Sequence, residues 1–141
     1  MSFKIDSRLE QDSITVGDFE LCRLLLMNDS QYPWFVLVPK RENISEIYHL
    51  SNSEQQSLWD ESRVLSQLIM NIFNGGKLNT AAIGNIVNQL HLHHVVRYKS
   101  DPCWPKPIWG QLPMKPYNDN QIDKIITKLK PSLNETAFSF A

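Results

Sequence analysis

A chain of 141 residues is the size of one ordinary domain with a single hydrophobic core. Hydrophobic residues make up 42% of it and charged residues 21%, which is close to globular averages and excludes a disordered or fibrous class. The formal net charge of -1 provides no general attraction for nucleic acid or an anionic membrane. We therefore expect neither partner, and any phosphate binding must be local.

The longest apolar runs are far below the ~20 residues that a transmembrane helix needs. Residues 1–6 lack the basic region and apolar stretch of an export signal. Cys22 and Cys103 lie far apart, without the close spacing of a zinc site or a disulfide framework. We expect a cytoplasmic protein without a bound metal or cofactor.

The first predicted elements are strands. The β-rich stretch 13–27 is interrupted at residues 16–18, which is typical of two strands joined as a hairpin. The apolar run 34–38 is typical of a buried strand and ends at Pro39.

A long helix is predicted next. Ser51 and Glu54 match a capping box, and leucine and isoleucine residues then recur at helical spacing as far as the glycines at 75 and 76. The pattern predicts a helix over residues 53–73, with Glu61 on its polar face.

Two further strands are predicted at residues 77–82 and 88–98. A proline-rich stretch follows, and a short helix around residues 122–130 should be stopped by Pro131, with the last ten residues loose. This order predicts an α+β domain with an antiparallel sheet.

Three histidines occur within four positions, which is the most informative feature of the sequence. In a strand, alternation aims His91 and His93 at one face and His94 at the other. A neutral imidazole is a nucleophile near pH 7, and an adjacent imidazolium can stabilise phosphate oxygens. The pair suits phosphoryl or nucleotidyl transfer, whereas the alternative is a half-buried strand whose histidines only satisfy hydrogen bonds.

The segment 79–93, which ends in Gln-Leu-His-Leu-His, resembles the signature of the histidine triad (HIT) family, His-φ-His-φ-His-φ-φ, where φ is apolar. The resemblance covers roughly residues 3–110. It implies a HIT-like α+β fold with about five antiparallel strands, one long helix and one short helix. We accordingly predict a HIT domain over 1–110 and a C-terminal extension over 111–141.

The resemblance also implies roles for individual residues. His91 takes the position of the family's nucleophile, and His93 that of the phosphate and leaving-group contact. Gln89 stands where the first histidine belongs, but its backbone carbonyl can still orient the ring of His91. Trp34 stands where many members place another histidine, so one auxiliary contact is missing.

Further candidates for substrate binding come from the same resemblance. Asn28, with Asp29 as its rival, is the candidate for the ribose hydroxyls, although both residue types are also favoured in turns. Asn79 and Asn85 lie in the region from which the family contacts phosphate or ribose. Arg97 is predicted to be a rim or structural charge.

The two C-terminal tryptophans, Trp104 and Trp109, either cover the core or approach the site, as C-terminal residues do in some triad hydrolases.

The expected function is a nucleotide hydrolase. It would act at the α-phosphate of a nucleoside phosphoramidate or dinucleoside polyphosphate, with a purine nucleotide as the expected substrate, through a nucleotidyl-histidine on His91. A nucleotide-binding module with little turnover and a purely structural scaffold are the alternatives. The family's two-fold dimer predicts that helix 53–73 and strand 77–82 pack against their own copies.

Overall fold

The computed structural model describes residues 3–141. Residues 1 and 2, which belong to the segment without an export signal and to the predicted domain 1–110, lie outside the described residues. Within 3–141 the chain forms one antiparallel sheet of six strands. The strands are β1 (Ser13–Asp18), β2 (Cys22–Met27), β3 (Trp34–Pro39), β4 (Lys77–Ala82), β5 (Leu92–Arg97) and β6 (Ser139–Phe140).

Three α-helices accompany the sheet in the described part of the chain. They are α1 (Ser7–Gln11), α2 (Asn52–Ile72) and α3 (Asp119–Leu133), and a 3-10 turn covers Ile47–His49. The predicted α+β class is confirmed. The sheet has six strands instead of about five, and α1 was not predicted, because β6 and α1 are too short to leave a periodic pattern. Within residues 3–141, no helix combines the length with the apolar character that a bilayer span requires.

The strand order is β4-β5-β3-β2-β1-β6, which places β5 inside the sheet between β4 and β3. All residues of β3 and β5 are buried, because one core cluster lies on each face of the sheet. Helices α2 and α3 contribute to the first cluster, whereas Ile108 and Cys103 from the proline-rich stretch contribute to the second. The stretch 101–110 therefore covers the face opposite α2.

Helix α2 begins and ends within one residue of the predicted bounds, and its capping box between Ser51 and Glu54 is confirmed. The prediction for Glu61 is wrong, because this residue is buried on α2. Its carboxylate accepts hydrogen bonds from the backbone N–H groups of Leu21 and Cys22, at 2.8 and 2.9 Å. Donors of the β1–β2 connection thus satisfy the buried charge.

The predicted break of the hairpin at residues 16–18 is also wrong. These residues lie within β1, and the connection to β2 covers residues 19–21. Gly17 is needed for close approach instead, since a Cβ there would lie 2.3 Å from the carbonyl oxygen of Ser139 in β6.

The carboxyl-terminal part is more ordered than predicted. Helix α3 continues through Pro131 to Leu133, because Leu129 and Leu133 are fully buried in the core and hold its last turns. Strand β6 pairs with β1, and the ring of Phe138 packs edge-on against Phe19 at 4.8 Å between centroids. The expectations of a stop at Pro131 and of ten loose residues are therefore wrong.

Candidate active site

The histidine segment enters the sheet later than predicted. Strand β5 begins at Leu92, so residues 88–91 precede it and His91 lies one position outside the strand. The backbone N–H of Leu90 bonds to the carbonyl of Ile44, outside the sheet ladder. Even so, the rings of His91 and His93 lie together, with centroids 4.8 Å apart, as the alternation predicted.

Both rings line one cavity of about 460 Å³. The side chains of Trp34, at the start of β3, and Trp109, in the stretch 101–110, also line this cavity. The rest of the wall is mainly apolar and includes Leu9, Met27, Ile83, Val87, Ile108 and Met114. Such a lining, with a few convergent polar groups, is typical of a small-molecule site.

The ring of His91 is fixed by the backbone of Gln89. Its Nδ1 lies 2.7 Å from the Gln89 carbonyl oxygen. Since a carbonyl oxygen can only accept, Nδ1 carries a proton, and in the neutral ring Nε2 has the lone pair. His91 is buried apart from 6% of its surface, yet it lines the cavity. The arrangement therefore offers an oriented nucleophile to a bound ligand.

His93 has the opposite tautomer. The indole Nε1 of Trp34 donates a hydrogen bond to Nδ1 of His93 at 3.0 Å, so Nδ1 carries the lone pair and Nε2 carries the proton. Burial, with smaller effects from His91 and His94, lowers the pKa of His93 to about 3. His93 is thus neutral near pH 7, in contrast to the imidazolium expected beside the nucleophile.

His94 faces α2, on the other side of the sheet from the cavity. Its Nδ1 donates to the Leu92 carbonyl at 3.0 Å, and its Nε2 accepts from the Ser62 hydroxyl at 2.7 Å. Burial lowers the pKa of His94 to about 4. The ring of His94 is therefore neutral near pH 7, and its role is structural.

Of the residues expected to bind substrate, Asp29 and Asn85 line the cavity. Asp29 is 2% exposed, and its Oδ1 accepts from the backbone N–H and side-chain amide of Gln31 and from the N–H of Lys115. None of these bonds uses its Oδ2. Asn85 lines both this cavity and a smaller one beside His91.

The other candidates are not among the residues that line this cavity, and their side chains bond to the protein itself. Asn28 Oδ1 accepts from the N–H of Tyr117, and Asn79 Oδ1 accepts from Arg97, at 2.9 and 2.8 Å. The amide of Gln89 accepts from the N–H of Asp6 and donates to the carbonyl of Lys4. Of the two rivals Asn28 and Asp29, Asp29 is the one that lines the cavity.

Arg97 is 1% exposed and forms a salt bridge with Asp101, at 2.7 Å between Nε and Oδ2. It is a structural charge and not a rim charge. The guanidinium also lies 5.5 Å from the ring centroid of Trp104, whereas Trp109 packs against His93 at 5.2 Å.

Arg8 and Asp12 also line the cavity and were missed, since no signal predicted α1. Within residues 3–141, no group of three histidine, cysteine or acidic side chains is placed to hold a metal.

A family model described as the HIT domain matches residues 8–100, about two thirds of the chain. The chain belongs to the histidine triad family. A histidine triad protein from Marinobacter aquaeolei, solved by crystallography, is 47% identical over 97% of this chain and 100% of its own, with a TM-score of 0.93. The histidine triad protein blr8122 from Bradyrhizobium japonicum is 35% identical over 94% of this chain and 98% of its own, with a TM-score of 0.91.

More distant family structures share the fold alone. The diadenosine triphosphate hydrolase of Plasmodium falciparum, solved with cyclomarin A, is 16% identical over 94% of this chain and 81% of its own, with a TM-score of 0.60. A comparison with curated protein sequences found no match. The histidine triad fold is therefore established for this chain by both sequence and structure.

Proposed function

We propose that this histidine triad protein hydrolyses a nucleotide at its α-phosphate through a nucleotidyl-histidine on His91. The observation that carries the proposal is the 2.7 Å contact between His91 Nδ1 and the Gln89 carbonyl, which leaves the Nε2 lone pair of a cavity-lining ring free to attack. The substrate would be a nucleoside phosphoramidate or a dinucleoside polyphosphate.

In the first step, Nε2 of His91 bonds to the α-phosphorus and the bond to the leaving group breaks. The ring becomes cationic, and the Gln89 carbonyl at Nδ1 stabilises that charge. Water then attacks phosphorus, the P–N bond breaks and a nucleoside monophosphate leaves. Each step inverts phosphorus, so the whole reaction retains its configuration.

Other groups in the cavity would bind the rest of the nucleotide. His93 and Asn85 would donate hydrogen bonds to nonbridging oxygens, where charge accumulates during transfer. Asp29 would bind the ribose hydroxyls, and the apolar wall would hold a base, with a purine as the expected one.

A nucleotide-binding module with little turnover is the second candidate. It is favoured by the departures from the family pattern at Gln89 and Trp34. The neutral state of His93 also favours it, since a neutral ring is a weaker stabiliser of a phosphate than an imidazolium.

Product analysis separates these candidates. The protein is incubated with adenosine phosphoramidate and with diadenosine polyphosphates, and AMP is measured by chromatography. The hydrolase predicts AMP release by the wild type and none by His91→Ala. Binding of AMP by the wild type without any release would favour the second candidate. His49→Ala is the matched control, because His49 lies in the exposed 3-10 turn outside the cavity.

We also propose the two-fold dimer and the cytoplasmic location that the resemblance and the sequence predict. Strand β4 is an edge of the sheet, and Trp59 on α2 is 48% exposed, so both elements have surface for a copy of the chain. Light scattering at micromolar concentration should then give about 33 kDa, twice the mass of one chain.

A further inference from the structure

The indole of Trp34 donates a hydrogen bond to His93, and the bond of His91 Nδ1 is to the Gln89 carbonyl, so the indole acts on one ring of the pair. We propose that Trp34 is a positioning residue that keeps His93 neutral with its proton on Nε2. His93 would then donate a hydrogen bond to the reacting phosphate without giving a proton to the leaving group. The inference rests on the proposed function for the reaction, but not for the tautomer.

The geometry of the pair supports this assignment. An indole N–H can donate and cannot accept, and Nδ1 of His93 lies 3.0 Å from it. An imidazolium has protons on both nitrogens, so a charged His93 would turn a proton toward the indole proton and lose the bond. Trp34 and His93 are 8% and 4% exposed, so water has little room to replace that bond.

In the described part of the chain, the groups around His93 form no charge pair with its ring. His91 and Trp109 pack against it from the preceding segment and from the stretch 101–110. Arg8, Asp12 and Asp29 line the same cavity, and His94 lies on the other face of the sheet. Within residues 3–141, none of the carboxylates forms a hydrogen bond or an ion pair with the His93 ring.

A neutral His93 has a consequence for the substrate. Loss of its Nε2 proton would leave an imidazolate, since the indole does not supply a proton to Nδ1. When the bond between phosphorus and the leaving atom breaks, the electron pair stays on the leaving atom, and His93 does not protonate it. The leaving group therefore takes a proton from solvent, or carries one before the bond breaks. The site should favour weakly basic leaving groups over strongly basic ones.

Nitrogen-15 NMR of the histidine rings tests the tautomer without turnover. In the wild type, the His93 Nδ1 should be unprotonated and Nε2 protonated from pH 8 to pH 5, with and without AMP. Trp34→Phe removes the donor but keeps an aromatic ring, and a mixture of tautomers should appear. Trp59→Phe, at an exposed position of α2, should leave the spectrum of His93 unchanged.

The result that overturns the proposal is a protonated Nδ1 in the wild type, or an unchanged His93 tautomer in folded Trp34→Phe. If Trp34→Phe does not fold, the proposal is still tested by the wild-type NMR spectrum and by the wild-type rates with aryl esters of AMP. A wild type that hydrolyses no substrate would refute the proposed function, while the NMR result would still decide the tautomer.

Aryl esters of AMP test the consequence for the leaving group. With a series of substituted phenols, single-turnover rates of the wild type should rise steeply as the phenol becomes less basic. Trp34→Phe should lower kcat by about 10- to 100-fold with a smaller change in KM. Trp34→His, whose ring can donate or accept, should make the dependence shallower. Wild-type rates that do not depend on the phenol in single turnover would contradict the proposal.

Discussion

Histidine side chains lie on both faces of the sheet at β5, and they have different hydrogen-bond partners on the two faces. Toward the cavity, the rings of His91 and His93 lie together, and within residues 3–141 neither Nε2 has a hydrogen-bond partner; in the neutral rings one carries a lone pair and one a proton. Toward α2, His94 has both ring nitrogens bonded, to Ser62 and to Leu92. Reactivity therefore depends on which ring nitrogen the protein leaves free.

The partners decide this difference. Carbonyl oxygens accept and indole nitrogens donate, so the Gln89 carbonyl and the Trp34 indole give neighbouring rings opposite tautomers. The Ser62 hydroxyl can do either, and it completes the bonding of His94. Substitutions on the two faces should thus separate chemistry from stability.

The largest expected effect is at His91. His91→Ala should lower turnover more than about a thousandfold, because it removes the atom that forms the covalent bond. Affinity for AMP and the unfolding midpoint should stay close to those of the wild type, as measured by calorimetry and urea titration. Hydrolysis at the wild-type rate by His91→Ala would refute the assignment, and His49→Ala is the control.

His93→Ala should have a smaller effect, since it removes a hydrogen-bond donor and not the nucleophile. A loss of roughly 100-fold in kcat is expected for one donor to a developing charge. Steady-state kinetics measure it beside His91→Ala. If His93 proved more important than His91, the roles of the two residues would have to be exchanged.

On the opposite face, His94→Ala should affect stability and not turnover. The variant removes a fully buried ring and leaves the Ser62 hydroxyl without its acceptor, at a cost of about 2–4 kcal/mol in the free energy of unfolding. Urea denaturation measures the loss, and kcat of the folded variant should change little. A large drop in kcat at unchanged stability would place His94 in the chemistry.

Acid should destabilise the protein, because the folded state keeps His93 and His94, on the two faces of the sheet, neutral. The pKa values of His93 and His94 are lowered to about 3 and about 4 by burial, so from pH 6.5 downward the unfolded chain binds protons that the folded chain does not. Above about pH 7.5, where the rings are neutral in the unfolded chain as well, these two residues should add no further pH dependence to the free energy of unfolding. Between pH 6.5 and 4.5 it should fall by up to about 1.4 kcal/mol per pH unit for each ring.

Urea titrations across this range measure the slope. His94→Gln, which can still bond both Ser62 and Leu92, should show a shallower acid limb than the wild type. A stability that stays flat down to pH 4.5 would mean that the rings are charged in the folded protein.

The smallest effect is expected at Gln89. Gln89→His introduces the residue that the sequence resemblance places first in the triad, but the group that orients His91 is the backbone carbonyl, which every residue has. The rate should change only a few-fold, about the effect of less than 1 kcal/mol. A gain of several orders of magnitude would show that the side chain at this position takes part in catalysis.

Features that depend on local sequence could be predicted. The capping box of α2 and the shared face of His91 and His93 follow from residues close in the chain. The bond from Trp34 to His93 could not be predicted, because it spans 59 residues and depends on the register of β3 against β5. The pairing of Asn79 with Arg97 depends on sheet register in the same way.

The helix end after Pro131 and strand β6 could not be predicted for a similar reason. Pro131 stops a helix only when nothing else holds the turn, and burial of Leu133 against the core outweighs the lost backbone bond. A two-residue strand such as β6 exists because β1 is in place to pair with it.

The proposed nucleotidyl-histidine on His91 can be observed directly. The protein is mixed with a molar excess of an AMP ester of a weakly basic phenol, quenched at alkaline pH within milliseconds, digested and analysed by mass spectrometry. An AMP adduct is expected on the peptide that contains His91, located on that residue, and no adduct is expected in His91→Ala. An adduct on His93 or His49, or AMP release at full rate with no adduct at any reaction time, would contradict it.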